Sequence, residues 1–198
     1  MRRYPYASAV GSLMYTMLCT RPDICYAVGM VSRFQSNPGP DHWTAVKNIL
    51  KYLRRTRNYM LVFSGIDLKM TGYTDSDFQA DRDSRRSTSG SVFTLNGGSV
   101  VWRSIKQSCI PDAAQPMTLY CDNSGAMENS KEPRSHKRSK HIERRYHLIR
   151  EIVARGDVEV KQILTHDNIA DPFIKTLSIR VFEKHLEGLG IKDCSSLL

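Results

Sequence analysis

Three aspartates stand where the chain leaves a strand or enters a helix: Asp75 in GYTDSDF, Asp122 in LYCDN and Asp171 in NIADPFIK. Singly, such an aspartate is a turn or helix-capping residue, because its short carboxylate bonds nearby backbone amides. Together they have another use. Carboxylates gathered in a small volume cannot all stay ionised unless a hard cation neutralises them, so convergence of the three would make a magnesium site.

The elements that must position them are legible from periodicity. Two helical segments meet at Arg21-Pro22, the second running from Pro22 to near Asn37, and a third spans Asp41 to about Arg55 with Trp43, Val46, Ile49, Leu50 and Leu53 on one face. The period then shortens to that of strands in MLVFSG, KMTGYTDS and SGSVFTLNGGSVVWRSIK, where Asn96-Gly97-Gly98 supplies the positive φ angles of a tight hairpin. MTLYC and VEVKQILT read as two more strands. Helices are expected from Asn123 to Glu132, from Ser139 to Arg155 and from Asn168 to Leu177. Hairpin-linked strands followed by strands alternating with helices predict an α/β protein with a mixed sheet covered by helices.

Composition narrows the partners. A formal net charge of +9 on 198 residues favours a polyanion, since lysines and arginines that neutralise phosphates release condensed counterions. The five cysteines, Cys19, Cys25, Cys109, Cys121 and Cys194, never form a C-x-x-C pair and read as reduced thiols. The basic, apolar N-terminus imitates a secretory signal, but Ala7, Val10, Leu13, Met14, Met17 and Leu18 recur at helical spacing and suit a core helix. No segment is long enough to span a bilayer. His136, His141 and His147 are spaced by five and six residues and do not share a helical face, which argues against zinc. His166 stands by position near the last acidic segment, as a surface histidine or an aid to product release.

The blocks GYTDSDFQADRDSRRSTSGSVFTLNGGSVVWRSIKQ, TLYCDNSGAM, RSKHIERRYHLIRE and HDNIADPFIKTL resemble, in order, the ribonuclease H domain in the Pol polyprotein of copia-type retrotransposons. The opening YPYASAVGSLMYTMLCTRPDICYAVGMVSRFQSNPGPDHWTAVKNILKYLRRT is similar to the segment joining the reverse transcriptase to that domain. Polymerase catalysis is not implied, because no Y-x-D-D motif occurs. The resemblance implies a helical connection segment over 1–65 and a ribonuclease H-like domain over 66–198, with a mixed five-stranded sheet and flanking helices. It also implies magnesium-dependent hydrolysis of the RNA strand of RNA–DNA hybrids by two metal ions, an intracellular setting in cytoplasm or nucleus, and assembly with the rest of a Pol polyprotein. Matched by motif, Asp75 resembles the first-strand ligand, Asp122 the fourth-strand ligand and Asp171 the ligand on a late helix.

One part of the pattern is missing. After the K-x-Q that ends the third strand, the family continues with a helix carrying S-T-E-A-E-Y, whose glutamate is the fourth carboxylate; here the chain reads SCIPDAAQPM, so the deletion falls near 110–117. Pro111 to Pro116 is too short and too proline-bounded for that helix. Glu128 and Asp112 are poor substitutes by position, and Asp77, on the same strand face as Asp75, is the better one. The expectations are therefore one weakly bound magnesium or none, impaired cleavage, and an exposed sheet beside Val92, Val100 and Trp102. The alternative is a non-catalytic nucleic-acid-binding remnant or an inert transposon-derived product. Phosphate contacts are expected from Arg82, Arg85 and Arg86 near the scissile phosphate, and from Lys137, Arg138, Lys140, Arg144 and Arg145, with solvated charges as the other reading.

Overall fold

The computed structural model describes residues 4–64, 68–77, 88–106, 117–131 and 153–195. Helices α1 (Tyr6–Cys19), α2 (Cys25–Ser32) and α3 (Pro40–Arg55) open the chain, with a 3-10 turn at Pro22–Ile24 leading into α2. Pro22 and Pro40 each sit in a first turn, where a missing N–H costs no bond. Tyr6, Val10, Leu13, Ile24, Val28, Val31, Val46 and Ile49 recur at helical spacing and close one apolar core. Inside its edge lies a polar cluster: Arg21 donates to both Asp23 carboxylate oxygens, at 3.0 and 2.7 Å, and to Thr56 Oγ1 at 2.7 Å, while Tyr52 donates to Asp23 at 2.6 Å.

The strands are β1 (Tyr59–Leu61), β2 (Thr71–Asp77), β3 (Thr88–Leu95), β4 (Gly98–Lys106), β5 (Met117–Cys121), β6 (Val158–Gln162) and β7 (Ile191–Asp193). Five of them form a mixed sheet in the order β4-β3-β2-β5-β6, antiparallel through β4, β3 and β2 and parallel through β2, β5 and β6. Helix α4 (Ser124–Lys131) follows β5, and α5 (Ile179–Gly188) precedes β7. The architecture is mixed α/β with flanking helices, consistent with the expected ribonuclease H-like fold. The β3–β4 hairpin turns on Asn96 and Gly97, with φ of 52° and 75°, while Gly98 already belongs to β4.

Several expectations need correction. MLVFSG contributes only β1, which joins no large sheet but pairs antiparallel with β7, Tyr59 opposite Asp193 and Leu61 opposite Ile191. Where a helix is expected over Asn168–Leu177 there is instead one 3-10 turn, Asp171–Phe173, preceded by another at Thr165–Asp167, because Pro172 and the tight packing of Phe173 stop regular winding; the true helix is α5, later in the chain. Val92 and Trp102 do not mark a bare face. They belong to a second core with Cys25, Ile169, Ala170, Phe173, Leu186, Leu189 and Ile191, contributed by α2 and the C-terminal elements, and Trp102 Nε1 donates to Met17 O at 3.0 Å. Val100 is half-buried beside the irregularity in β3–β4 pairing. The other face carries Phe93 and its cross-strand neighbour Val101, and Val101 is 45% exposed. The described cysteines, Cys19, Cys25, Cys121 and Cys194, are free thiols, and burial pushes the Cys25 thiol up to about 12.

Candidate metal centre

The strand register brings the acidic residues together. Asp75 lies in β2, Asp122 follows the last residue of β5, and β2 and β5 run parallel as neighbours, so both carboxylates emerge at the same end of the sheet. Asp171 opens the 3-10 turn that packs against β3. The result is a cluster in which one ligand oxygen from each of Asp75, Asp122 and Asp171 lies within 4.8 Å of the others. Asp75 and Asp171 are buried and Asp122 is half-buried.

What holds Asp171 there is a set of contacts centred on three side chains at 0% exposure, Asn168, Ala170 and Phe173. Asn168, fully buried, donates from Nδ2 to Thr74 O at 3.1 Å and accepts from Ala170 N at 3.2 Å, tying the turn to the residue beside Asp75. Asp171 N donates to Asn168 O at 3.1 Å, Ser104 Oγ donates to Phe173 O, and Phe173 and Ala170 are fully buried against the sheet. Gly90 lets the turn approach: a Cβ there would meet Phe173 Cβ at 2.8 Å and Ala170 O at 2.9 Å.

The electrostatics are those of crowded carboxylates. Burial, a hydrogen bond with Asp171 and the charges of Asp122 and Asp171 push Asp75 up to about 7, against the pull of the Ser76 amide, which donates to Asp75 Oδ1 at 2.7 Å. Lys175 places its Nζ 2.8 Å from Asp171 Oδ1. Burial opposes its charge, yet the adjoining carboxylate of Asp171 and the charges of Asp75 and Asp122 raise its pKa. His185 is buried, its Nε2 has no hydrogen-bond partner, and burial lowers its pKa.

Thus the expected triad converges. Neither Lys175 nor His185 figures among the sequence-derived site residues, although the Asp171-to-Lys175 spacing of four is a known signal for an ion pair. Glu128 is exposed on α4, and His166 is exposed with Nε2 3.3 Å from Asp167 Oδ2. Asp77 closes β2 opposite Thr88, and its side chain lies outside the described part of the structure. Asp112, His136, His141, His147, Cys109, Arg82, Arg85, Arg86, Lys137, Arg138, Lys140, Arg144 and Arg145 lie outside the described residues.

Three carboxylate oxygens so close, with burial and crowding raising the Asp75 carboxyl to about 7, suit a hard dication. The chain is 41% identical over 220 residues to the retrovirus-related Pol polyprotein from transposon TNT 1-94 of Nicotiana tabacum, which covers 96% of this chain. Over most of its length the chain is similar to copia-type retrotransposon Pol polyproteins. It is also 32% identical over 217 residues to the Pol polyprotein from transposon RE2 of Arabidopsis thaliana, covering 94% of the chain. The secreted RxLR effector protein 161 of Plasmopara viticola is 51% identical over 111 residues, covering 56% of this chain and 78% of that protein. The chain spans only 17% of the tobacco polyprotein and 15% of the Arabidopsis one. Neither a protein-family model nor a solved structure matches the chain. Among the described residues no helix is long and apolar enough to cross a membrane.

Proposed function

We propose that this chain is a ribonuclease H-like unit of a retrotransposon Pol polyprotein, residues 66–198, preceded by a connection segment over 1–65, and that its hybrid-cleaving centre is impaired. The observation that carries the reading is the convergence of Asp75, Asp122 and Asp171 at one end of a mixed sheet. A bound magnesium ion would be held by these three residues and would supply activation of the attacking water and stabilisation of the leaving oxygen. The chain's own part is to fix Asp75 on the central strand, to pin Asp171 through Asn168 and Phe173, and to keep both carboxylates out of bulk water.

Impairment follows from length. Lys106 stands level with Asp77, and Met117 pairs one residue before Thr118, which faces Thr71 on β2, so the connection from β4 to β5 must cross three strand spacings and the length of β2. At ~4.8 Å between strands and ~3.3 Å per residue that is roughly 27 Å, which a helix rising 1.5 Å per residue covers in about 18 residues. The connection, 107–116, has ten residues. The match to the tobacco polyprotein extends over 220 residues, so at least 22 of its positions, 220 less 198, have no counterpart here. Placed in this connection, they would give it room for the crossing helix and its glutamate.

Cleavage of a labelled RNA–DNA hybrid by the purified chain in magnesium, beside an Asp122→Asn control, is the test. Cleavage absent or lowered by orders of magnitude is expected; robust cleavage that the control abolishes refutes impairment, and robust cleavage that survives the control refutes the site.

A further inference from the structure

Lys175 brings its ammonium directly onto a member of the triad, and its position is set by the core rather than by chance. It follows Phe173 and Ile174, which are 0% and 2% exposed and anchor the 3-10 turn on the sheet. Its own side chain is 40% exposed while its partner carboxylate on Asp171 is 6% exposed, so the lysine reaches from the rim of the site onto a buried charge. Asp171, Asp75 and Asp122 all favour that ammonium.

Taking the triad as a metal centre, as proposed above, we infer that Lys175 is a built-in counterion that a divalent cation must displace from Asp171, which limits the site to one weakly held ion. The charges account for the limit. Three carboxylates carry three negative charges when all are ionised; one ammonium and one dication neutralise them, whereas with two dications bound the ammonium raises the excess of positive charge from one to two. A cation drawing on Asp171 Oδ1 also competes for an oxygen that the ammonium occupies at 2.8 Å. The same lysine therefore makes convergence tolerable without metal and weakens binding of the metal.

Calorimetric titration with magnesium and with manganese alone, on the full chain, tests this. Lys175→Met keeps the aliphatic stem and removes the charge, and Lys175→Arg keeps the charge. The methionine variant should bind at least about tenfold more tightly, the scale of one unit charge a few ångströms away in protein surroundings, while its metal-free melting temperature drops and saturating magnesium restores it. The arginine variant should stay near wild type in both measurements. Equal or weaker binding by Lys175→Met, or an arginine variant that behaves like the methionine one, overturns the counterion role even where wild type binds magnesium. If neither wild type nor Lys175→Met takes up either cation, the metal-centre reading falls and the counterion role falls with it.

Discussion

Gly90 stands directly opposite Asp75 in the antiparallel pairing of β2 and β3, and the space its missing side chain leaves is filled by the turn that carries Asp171. The two carboxylates meet because a residue without a Cβ separates their supports. Gly90→Ala would drive a methyl group into Phe173 Cβ and Ala170 O, and its third neighbour, Ile174 Cγ2 at 3.0 Å, leaves no easy escape. The expected cost is about 1 to 3 kcal/mol, the range for overpacked cores. Magnesium affinity should fall as well, since the turn must move off the strand. Chemical denaturation and calorimetry on the variant check the two effects, and a Gly90→Ala protein with wild-type stability and binding would show that the close approach is not needed.

The raised pKa of Asp75 fixes the sign of a pH effect. In the unfolded chain this carboxyl titrates near the ordinary value of about 4, whereas in the folded, metal-free protein it holds its proton to about 7. Between those values the native state binds more protons, so its stability is greatest at the acid end of the window and declines as pH rises through it. A dication binds the ionised form and should reverse the trend. Melting curves in chelator at pH 5 and pH 8 should show a larger loss for wild type than for Asp75→Asn, and magnesium should raise the melting temperature more at pH 8 than at pH 5. An equal pH response in the two proteins would remove Asp75 as the source.

Arg21 and Asp23 form a buried pair whose side chains are 8% and 0% exposed. Tyr52 and Thr56 complete its hydrogen bonds and join the entry to α2 with the end of α3. Removing one partner leaves the other charge buried and unpaired, so Asp23→Ala should cost about 3 to 5 kcal/mol. The urea midpoint measures it. A replacement of all partners by apolar groups would be far milder, which distinguishes loss of the pair from loss of volume.

Much of this fold can be read from local pattern, and the exceptions have physical causes. The apolar stripe of α3, the Asn96-Gly97 turn and the alternation in β3 are local signals, and each element lies where its period predicts. The convergence of the acids is legible because Asp75 and Asp122 lie at corresponding ends of neighbouring strands. Pairing of β1 with β7 is not, since it joins residues 59–61 to 191–193 and neither segment carries more than three paired residues. The face covered by the N-terminal helices escapes a local reading for the same reason. Val92 and Phe93 are both apolar, and only the docking of α2 and the Phe173 turn decides which of the two is fully buried. Lys175 is hidden by the expectation of a regular helix, which draws attention to the carboxylate and not to the residue four positions on.

Binding to nucleic acid should be governed by charge. With a formal net charge of +9 and no sequence-reading element required by the proposed function, contacts are to phosphates, and affinity for an RNA–DNA hybrid should fall steeply between low and moderate salt. Fluorescence anisotropy across that range gives the slope. An unchanged dissociation constant would mean that phosphate contacts do not hold the complex.

Supplying a fourth carboxylate is the most direct challenge to the proposed impairment. Magnesium is strongly hydrated and demands near-octahedral geometry, so a site one anionic ligand short can fill the position with water but cannot recover the charge that keeps two dications close. Lys175 adds a positive charge to the same side of the balance. A helix bearing S-T-E-A-E-Y, inserted between Ile110 and Met117 with enough residues to cross from β4 to β5, would return a fourth carboxylate to the end of the sheet where Asp75 and Asp122 emerge. The insertion should raise hybrid cleavage by orders of magnitude and strengthen magnesium binding, and Asp75→Asn in the same background should abolish the cleavage. An inserted chain that folds, binds magnesium more tightly and still leaves the hybrid intact would show that loss of the glutamate is not what silences this centre.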